Sequence, residues 1–250
     1  MRNLFAFLSF IPLALNACAE AKPEDCRAIQ HASQAFTVCS FKTSDDIRLN
    51  LTHPDGAPYA QFGRLAEQVE FDGGSLVFAM NAGMYHADRA PVGLYIEDGV
   101  EVAPIVTKAG HGNFGMLPNG VFALSADGGA HVVETSAFVH SGLDIVSATQ
   151  SGPMLVIDGA LHPRFNPDGT SRKRRNGVGI SPDGETVHFA ISDGFVTFHE
   201  FATLFRDVLG TPNALYLDGT VSRLHVPAID RDEDGLDMGP IVSVVRSPAY

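Results

Sequence analysis

The dipeptide Asp-Gly occurs ten times in this chain of 250 residues, at Asp55, Asp72, Asp98, Asp127, Asp158, Asp168, Asp183, Asp193, Asp218 and Asp234. Asp-Gly tolerates the positive backbone angles of tight turns, those of hairpins above all. Most copies lie between short apolar, β-branched runs. Val121–Ser125 and His131–Glu134 flank one copy, and Val178–Ser181 and Thr186–Ile191 flank another. Leu76–Met80, Gly93–Glu97, Met154–Ile157 and Ala214–Leu217 read as further strands. The copies keep no fixed period, which argues against a propeller or solenoid.

Two segments carry a helical period instead. Phe198, Phe201, Leu204, Phe205 and Val208 share one helical face. Thr197 and Glu200 form a capping-box pattern before it, and Gly210 with Pro212 ends it. Phe62, Leu65 and Val69 mark a second helix, closed near Gly73-Gly74. Few helices among many strands predict an α+β fold: a strand-rich single domain of largely antiparallel hairpins with a few flanking helices. No linker divides it, so the domain is expected to run from residue 22 to residue 250.

The remaining 1–21 segment has a different character. Arg2 precedes an apolar run, Leu4–Leu15, and small residues follow. This is the pattern of a secretory signal peptide, too short to span a membrane. Ala17-Cys18-Ala19 fits cleavage for soluble export. Leu15-Asn16-Ala17-Cys18 fits a lipobox, in which Cys18 becomes lipidated. The expected location is therefore the bacterial periplasm, or the outer membrane as a lipoprotein. Cys26 and Cys39 are then left in an oxidising compartment, which favours a disulfide between them; two free thiols are the alternative. Such a bridge would staple the N-terminal segment and little else.

The chain carries 17 Lys and Arg against 29 Asp and Glu, a net charge of −12, with 45% hydrophobic residues. That content supports a buried core and excludes disorder as the main state. The charge argues against a nucleic-acid partner. One dense basic run interrupts it, Ser171-Arg172-Lys173-Arg174-Arg175-Asn176-Gly177. Gathered cations repel one another, so the run suggests a bound anion, phosphate or carboxylate. A solvated loop is the plainer reading for Arg172, Lys173 and Arg174. Arg175 borders a strand and is expected to be held more firmly.

Three other clusters stand out. Asn81-Ala82-Gly83-Met84-Tyr85-His86 follows an apolar strand. Asn213–Leu217 delivers Asp218 at a strand end, with Gly219, Thr220 and Ser222 behind it. A carboxylate beside glycine and hydroxyls suits a polar ligand, a sugar or a metal; an ordinary Asp-Gly turn is the plainer reading. Asp230-Arg231-Asp232-Glu233-Asp234-Gly235 opens like a calcium loop, but Ile241 stands where the twelfth-position Glu belongs. A solvated acidic loop is the better reading, so no cofactor and no metal site are expected; the alternative is a calcium ion on Asp230, Asp232 and Asp234. His53, His111, His131, His140, His162 and His225 are scattered and read as surface or turn residues.

Taken in order, these clusters resemble one family. Asn81-Ala82-Gly83-Met84-Tyr85 is similar to an N-G-G-F-F motif. Ser151-Gly152-Pro153-Met154-Leu155 is similar to S-G-x-x-L, and Arg175-Asn176-Gly177-Val178-Gly179 to R-T-A-x-G. Asn213-Ala214-Leu215-Tyr216-Leu217-Asp218-Gly219 is similar to N-A-x-N-L-D-G-G. Together they resemble the phosphodiester glycosidase family from about Phe71 onward. Two departures are visible: Tyr216 replaces an Asn, and Gly219-Thr220-Val221-Ser222 replaces G-G-G-S.

The resemblance implies an exported hydrolase that splits the bond between a sugar's anomeric carbon and a phosphodiester oxygen. Arg175 would hold the phosphate, Asp218 would act at the anomeric centre, and Asp193 would be a second carboxylate. Asn81, Gly83, Tyr85, Asn176, Gly219, Thr220 and Ser222 would shape or orient the substrate, with Tyr85 or a Phe as the platform in a chain without Trp. The partner would be a small molecule or glycan carrying a sugar-phosphate diester. Two other readings remain: a non-catalytic envelope protein binding anionic glycans, and a metal-dependent phosphodiesterase cutting the P–O bond.

Overall fold

A computed structural model describes residues 25–219 and 221–247. The leader at 1–21 with Cys18, residues 22–24, Thr220 and residues 248–250 lie outside the described residues. Four Asp-Gly pairs close hairpins. In two of them both residues are left-handed, Asp98 and Gly99 at φ 50° and 77°, and Asp158 and Gly159 at φ 47° and 80°. That is the backbone of a type I′ turn, whose twist matches the flanking strands. Asp127-Gly128 and Asp183-Gly184 close the other two. Asp193 and Asp218 behave differently: neither Gly194 nor Gly219 is left-handed, and both carboxylates sit where a strand ends in a loop.

The strands form three sheets, each antiparallel throughout. The largest runs in the spatial order Cys26–His31, Gln34–Lys42, Thr186–Ser192, Asn176–Ile180, Asn213–Asp218, Met154–Ile157 and Ala160–Leu161. A second is ordered Arg231–Asp232, Leu224–Val226, Ser75–Asn81, Ile241–Arg246 and Asp46–Asn50. A third is ordered Val100–Ala103, Tyr95–Glu97, Ile145–Ser151, Gly120–Ser125 and Ala130–Glu134. The α+β expectation holds. The expected strands recur with ends shifted by one or two residues; the Val178–Ser181 reading becomes Asn176–Ile180.

Side chains alternate across a strand, and the large sheet uses both faces. Val187, Phe189 and Ile191 point into a core shared by all three sheets, with Leu215 and Leu217 beside them. Phe189 is its hub. The ring stacks on Phe78 of the second sheet at 4.9 Å and meets Phe122 of the third edge-on at 5.9 Å. The other face carries Phe36, Val38, Ala190, Ala214 and Tyr216 and is covered by the helix Phe198–Thr203. Gly177 and Gly179 lie under that helix. A Cβ on Gly177 would come within 2.7 Å of the Leu215 carbonyl, and one on Gly179 within 2.9 Å of the Phe205 ring. These glycines let the helix approach the sheet.

The helix expected to run unbroken to Gly210 does not. It is α-helical over Phe198–Thr203 and continues as a π-helix over Leu204–Val208. The Thr203 hydroxyl donates to the Glu200 carbonyl at 2.9 Å, a local bond that competes with the helical ladder. The capping box at Thr197 and Glu200 is formed as expected. The helix Phe62–Phe71 packs Leu65 and Val69 on the outer face of the second sheet.

Cys26 and Cys39 form a disulfide, facing each other directly in the register of the first two strands. Its reach exceeds the expected local staple, because Gln34–Lys42 also pairs along its length with Thr186–Ser192. His162 and His225, read as surface or turn residues, are instead buried. His162 stacks on Phe165 at 4.8 Å, and His225 Nδ1 meets Asp232 Oδ1 at 2.7 Å.

The position of Phe189 generates a stability prediction. Phe189→Ala should cost about 3–5 kcal/mol, read as a lower midpoint in urea, because three sheets lose one shared ring. A loss under about 1 kcal/mol would show that the sheets do not depend on it.

Candidate active site

Three strand ends converge at one seam. Asn81 ends the Ser75–Asn81 strand of the second sheet, Asn176 begins Asn176–Ile180, and Asp218 ends Asn213–Asp218. Asn176 pairs in register with Asp218, and a bulge follows between Asn176 and Gly177. The Asn176 side chain is fully buried. Its Nδ2 donates to the Asn81 carbonyl at 2.7 Å and to Asn81 Oδ1 at 3.2 Å. Its Oδ1 accepts from the Asp218 backbone N–H at 2.9 Å and from the Ser222 hydroxyl at 3.3 Å. Asn81 Oδ1 in turn accepts the Arg223 N–H at 3.0 Å. The Asp218 carboxylate accepts the Gly219 N–H at 2.6 Å. Asn81, Asn176, Asp218, Gly219 and Ser222, far apart in the chain, are thus brought together. Thr220 lies outside the described residues.

Gly83 and Tyr85 flank this seam. A Cβ on Gly83 would sit 2.8 Å from the Gln150 carbonyl and overlap the Thr149 hydroxyl, so the glycine seats the second sheet on the third. Tyr85 is half-buried and donates to the Asp237 carbonyl at 3.3 Å. Burial, and next the charge of Asp218, push its phenol above the ordinary value. Asp218 therefore lies within electrostatic reach of Tyr85.

The basic run is taken apart by the fold. Arg172 pairs with Glu200 at 3.0 Å, and Arg174 with Glu233 at 2.7 Å. Repulsion within the run is thus relieved by two carboxylates. Glu233 belongs to the acidic loop, whose Asp230, Asp232 and Asp234 are exposed as a solvated loop predicts. Glu233 departs from that reading: it also binds Arg231 at 2.5 Å, and Arg231 binds Asp193 at 2.7 Å. Asp193 Oδ1 additionally accepts the Thr37 hydroxyl at 3.1 Å. Asp193, Arg231, Glu233 and Arg174 form one chain of alternating charge.

Arg175 points to the opposite face of its strand from Asn176 and is 1% exposed. Its Nε donates to the Val196 carbonyl at 3.0 Å and its Nη2 to the Ser171 carbonyl at 3.1 Å. Its guanidinium lies 3.6 Å from the Phe198 ring centroid, and Phe198 stacks on Phe165 at 4.9 Å. Burial lowers the Arg175 pKa, and the neighbouring Tyr216 partly offsets this. Burial likewise raises the Tyr216 phenol. Among the described residues, Arg175 Nη1 and the Tyr216 hydroxyl are both buried without a hydrogen bond of ordinary geometry. The Tyr216 hydroxyl fills the space a Cβ on Gly219 would need, so the Tyr that departs from the family motif lies against a glycine that the motif retains.

Beside the seam opens a pocket of about 400 Å³, lined by Lys173, Arg174, Gly219, Ser222, Arg223 and Leu236, among others. Arg223 was invisible to sequence reasoning, as a single cation outside any run. It is 5% exposed; Nη1 donates to Gln61 Oε1 at 3.1 Å and Nη2 to the Leu236 carbonyl at 2.5 Å. Its Nε is buried and has no hydrogen-bond partner among the described residues. Among the described residues no carboxylate pairs with Arg223 or Lys173 within salt-bridge distance. A larger cleft, about 610 Å³, is lined by Asp45, Asp46, Arg48, Glu97 and Asp98 and by none of the motif residues.

Burial pushes the Glu233 carboxyl up, while hydrogen bonds and charge pairing with Arg174 and Arg231 outweigh it and hold the group below the usual carboxylate range. A depressed folded-state pKa contributes stability above the unfolded value, about 4.3, and that contribution is lost as pH falls through the folded value. Melting curves from pH 7 to pH 3 should therefore show wild type above Glu233→Gln at neutral pH, with the gap closing below about pH 4. A gap that stays constant to pH 3 would deny Glu233 this role.

The phosphodiester glycosidase family matches residues 74–234 of the chain. The uncharacterized protein YigE of Escherichia coli (strain K12) is 33% identical over 229 residues, which are 90% of this chain and 85% of YigE. Among solved structures, one similar fold is the catalytic domain of zebrafish N-acetylglucosamine-1-phosphodiester alpha-N-acetylglucosaminidase, auto-inhibited by its pro-peptide. It matches at TM-score 0.58 and 14% identity, over 88% of this chain and 81% of that one. Another is a protein of Burkholderia pseudomallei K96243 described as exported, at TM-score 0.58 and 12% identity over 84% of this chain and 74% of that one. With Asn81, Asn176 and Asp218 of three family motifs meeting at one seam and the match spanning most of the described fold, the chain belongs to the phosphodiester glycosidase family.

Proposed function

We propose that the chain hydrolyses sugar-1-phosphodiesters, breaking the bond between the anomeric carbon and the phosphate oxygen. The observation that carries this reading is the pocket in which Lys173, Arg174 and Arg223 line the wall next to Gly219 and Ser222, one residue from Asp218. Cations of this kind suit a phosphate, which Arg grips through paired N–H donors. Arg175, covered by Phe198 and Tyr216, acts in this reading as a positioning residue. It ties the Ser171 and Val196 carbonyls together and so shapes the loop that carries Lys173 and Arg174. Direct phosphate contact falls to Arg223 and Lys173, with Arg174 shared with Glu233.

Asp218 is assigned to the reacting carbon. Water attacks the anomeric carbon, Asp218 takes up a proton from it, and the C–O bond electrons leave with the phosphate. A phosphate monoester is a good leaving group, and its developing charge is stabilised by the pocket cations. Little general-acid help is then needed. Asp193, held by Arg231 and Thr37, serves as a positioning residue through the chain that ends on Arg174. The Ser222 hydroxyl and the Asn81–Asn176 pair hold the loop after Asp218 against the seam.

The reading includes export. The apolar leader pattern, the Cys26–Cys39 disulfide and the exported description of the Burkholderia relative support it, since structural disulfides persist in oxidising compartments. Among the described residues no helix is long and apolar enough to cross a membrane.

Hydrolysis of an N-acetylglucosamine-1-phosphodiester in ¹⁸O-labelled water tests the reaction. The label should appear in the free sugar and not in the phosphate; label in the phosphate, with sugar phosphate released, would mean P–O cleavage and overturn the reading. Asp218→Asn should lose nearly all turnover while melting like wild type, and full activity would remove Asp218 from the chemistry. Arg223→Gln should raise KM about tenfold or more, the scale of one charge-assisted hydrogen bond, with a smaller change in kcat.

A further inference from the structure

The three most exposed large apolar side chains among the described residues are Phe71, at 86%, Leu236, at 72%, and Phe195, at 68%. Single exposed hydrophobics are ordinary. Here two of the three line one pocket, and it is the pocket that holds Lys173, Arg174 and Arg223.

Both are mounted on backbone that an arginine grips. The Phe195 carbonyl accepts Arg172 Nε at 3.0 Å, and the next residue, Val196, exchanges two backbone hydrogen bonds with Lys173, at 2.8 and 3.0 Å. The Leu236 carbonyl accepts Arg223 Nη2 at 2.5 Å, and the adjoining Gly235 carbonyl accepts Gln61 Nε2 at 3.0 Å. The apolar rim is therefore fixed relative to the cations by the same side chains that supply or flank the charge. A phosphate bound by Arg223 and Lys173 has Phe195 and Leu236 as its neighbours.

We infer that the phosphate's second ester in the preferred substrate carries an apolar chain: the substrate is an amphiphilic sugar-1-phosphodiester of a lipid-type alcohol. The inference rests on the phosphate-binding part of the proposed function. The anionic head meets the cations, and the first carbons of the chain lie over the Phe195 ring and the Leu236 side chain. Each methylene taken from water there strengthens binding. A short polar alcohol at the same ester would leave both apolar side chains in water.

The test compares methyl and octyl N-acetylglucosamine-1-phosphodiesters, kept below the micelle concentration, on wild type and on a Phe195→Ser/Leu236→Ser double variant. Both substitutions are at exposed positions, and melting curves check folding. Wild type should bind the octyl diester about tenfold more tightly than the methyl diester, by calorimetric Kd and by KM, and the double variant should reduce that ratio toward one. Equal affinity for the two diesters in wild type overturns the inference, as does an octyl preference that the double variant keeps. A change in the oligomeric state of the double variant with an unaltered octyl preference would assign the rim to a second copy of the chain and also overturn it. If neither diester is hydrolysed, the proposed reaction fails by itself, and the calorimetric ratio still decides the inference.

Discussion

The side-chain amide of Asn176 is the interaction on which the site depends. It is buried at the junction of two sheets and uses both of its ends: the nitrogen is given to Asn81, and the oxygen to the Asp218 N–H and the Ser222 hydroxyl. A buried amide with partners on every side specifies geometry strongly, because any displacement strands polar groups away from water. The bulge after Asn176 lets that amide leave the ladder and serve the loop that follows Asp218. The carboxylate assigned to chemistry is thereby held by its own backbone, leaving the seam rigid and the pocket wall beside it free to take a ligand.

Strand alternation explains how one short motif serves two layers. Arg175, Gly177 and Gly179 fall on the helix side of the large sheet, and Asn176 and Val178 on the inner side. The helix side needs glycine because Phe201 and Phe205 press against it, and it buries Arg175 against Phe198. The inner side needs an amide at the seam. A run that reads as a string of positive charge is thus a folded object with each residue in a different environment: ion-paired, exposed, ion-paired, buried.

Much of the fold was legible from turns and alternation. Asp-Gly pairs located four hairpins, and T-x-x-E located the start of a helix. The strands at Gln34–Lys42, Asp46–Asn50 and Ile241–Arg246 lack adjacent turn signals of that type. No periodicity in the sequence marks the change from α- to π-helix at Leu204. In the site, Asn81, Asn176, Asp218 and Ser222 were legible because each stands at the end of an apolar strand or in a family motif. Arg223 and Glu233 were not, because their meaning lies in partners distant along the chain: Gln61 for one, Arg174 for the other. The acidic loop and the basic run looked like separate features, and pairing between them cannot be read from either alone.

The bridge between Cys26 and Cys39 has a further consequence. It joins the outermost strand of the large sheet to Gln34–Lys42, at nine residues the longest strand of the fold. Sheet edges are the surfaces along which chains adhere to one another. With the bond formed, the edge strand is covalently unable to peel away, and the long strand behind it stays paired on both sides. With the thiols reduced, hydrogen bonds alone guard that side, so the compartment's redox state sets how firmly this sheet is closed to unwanted β-pairing.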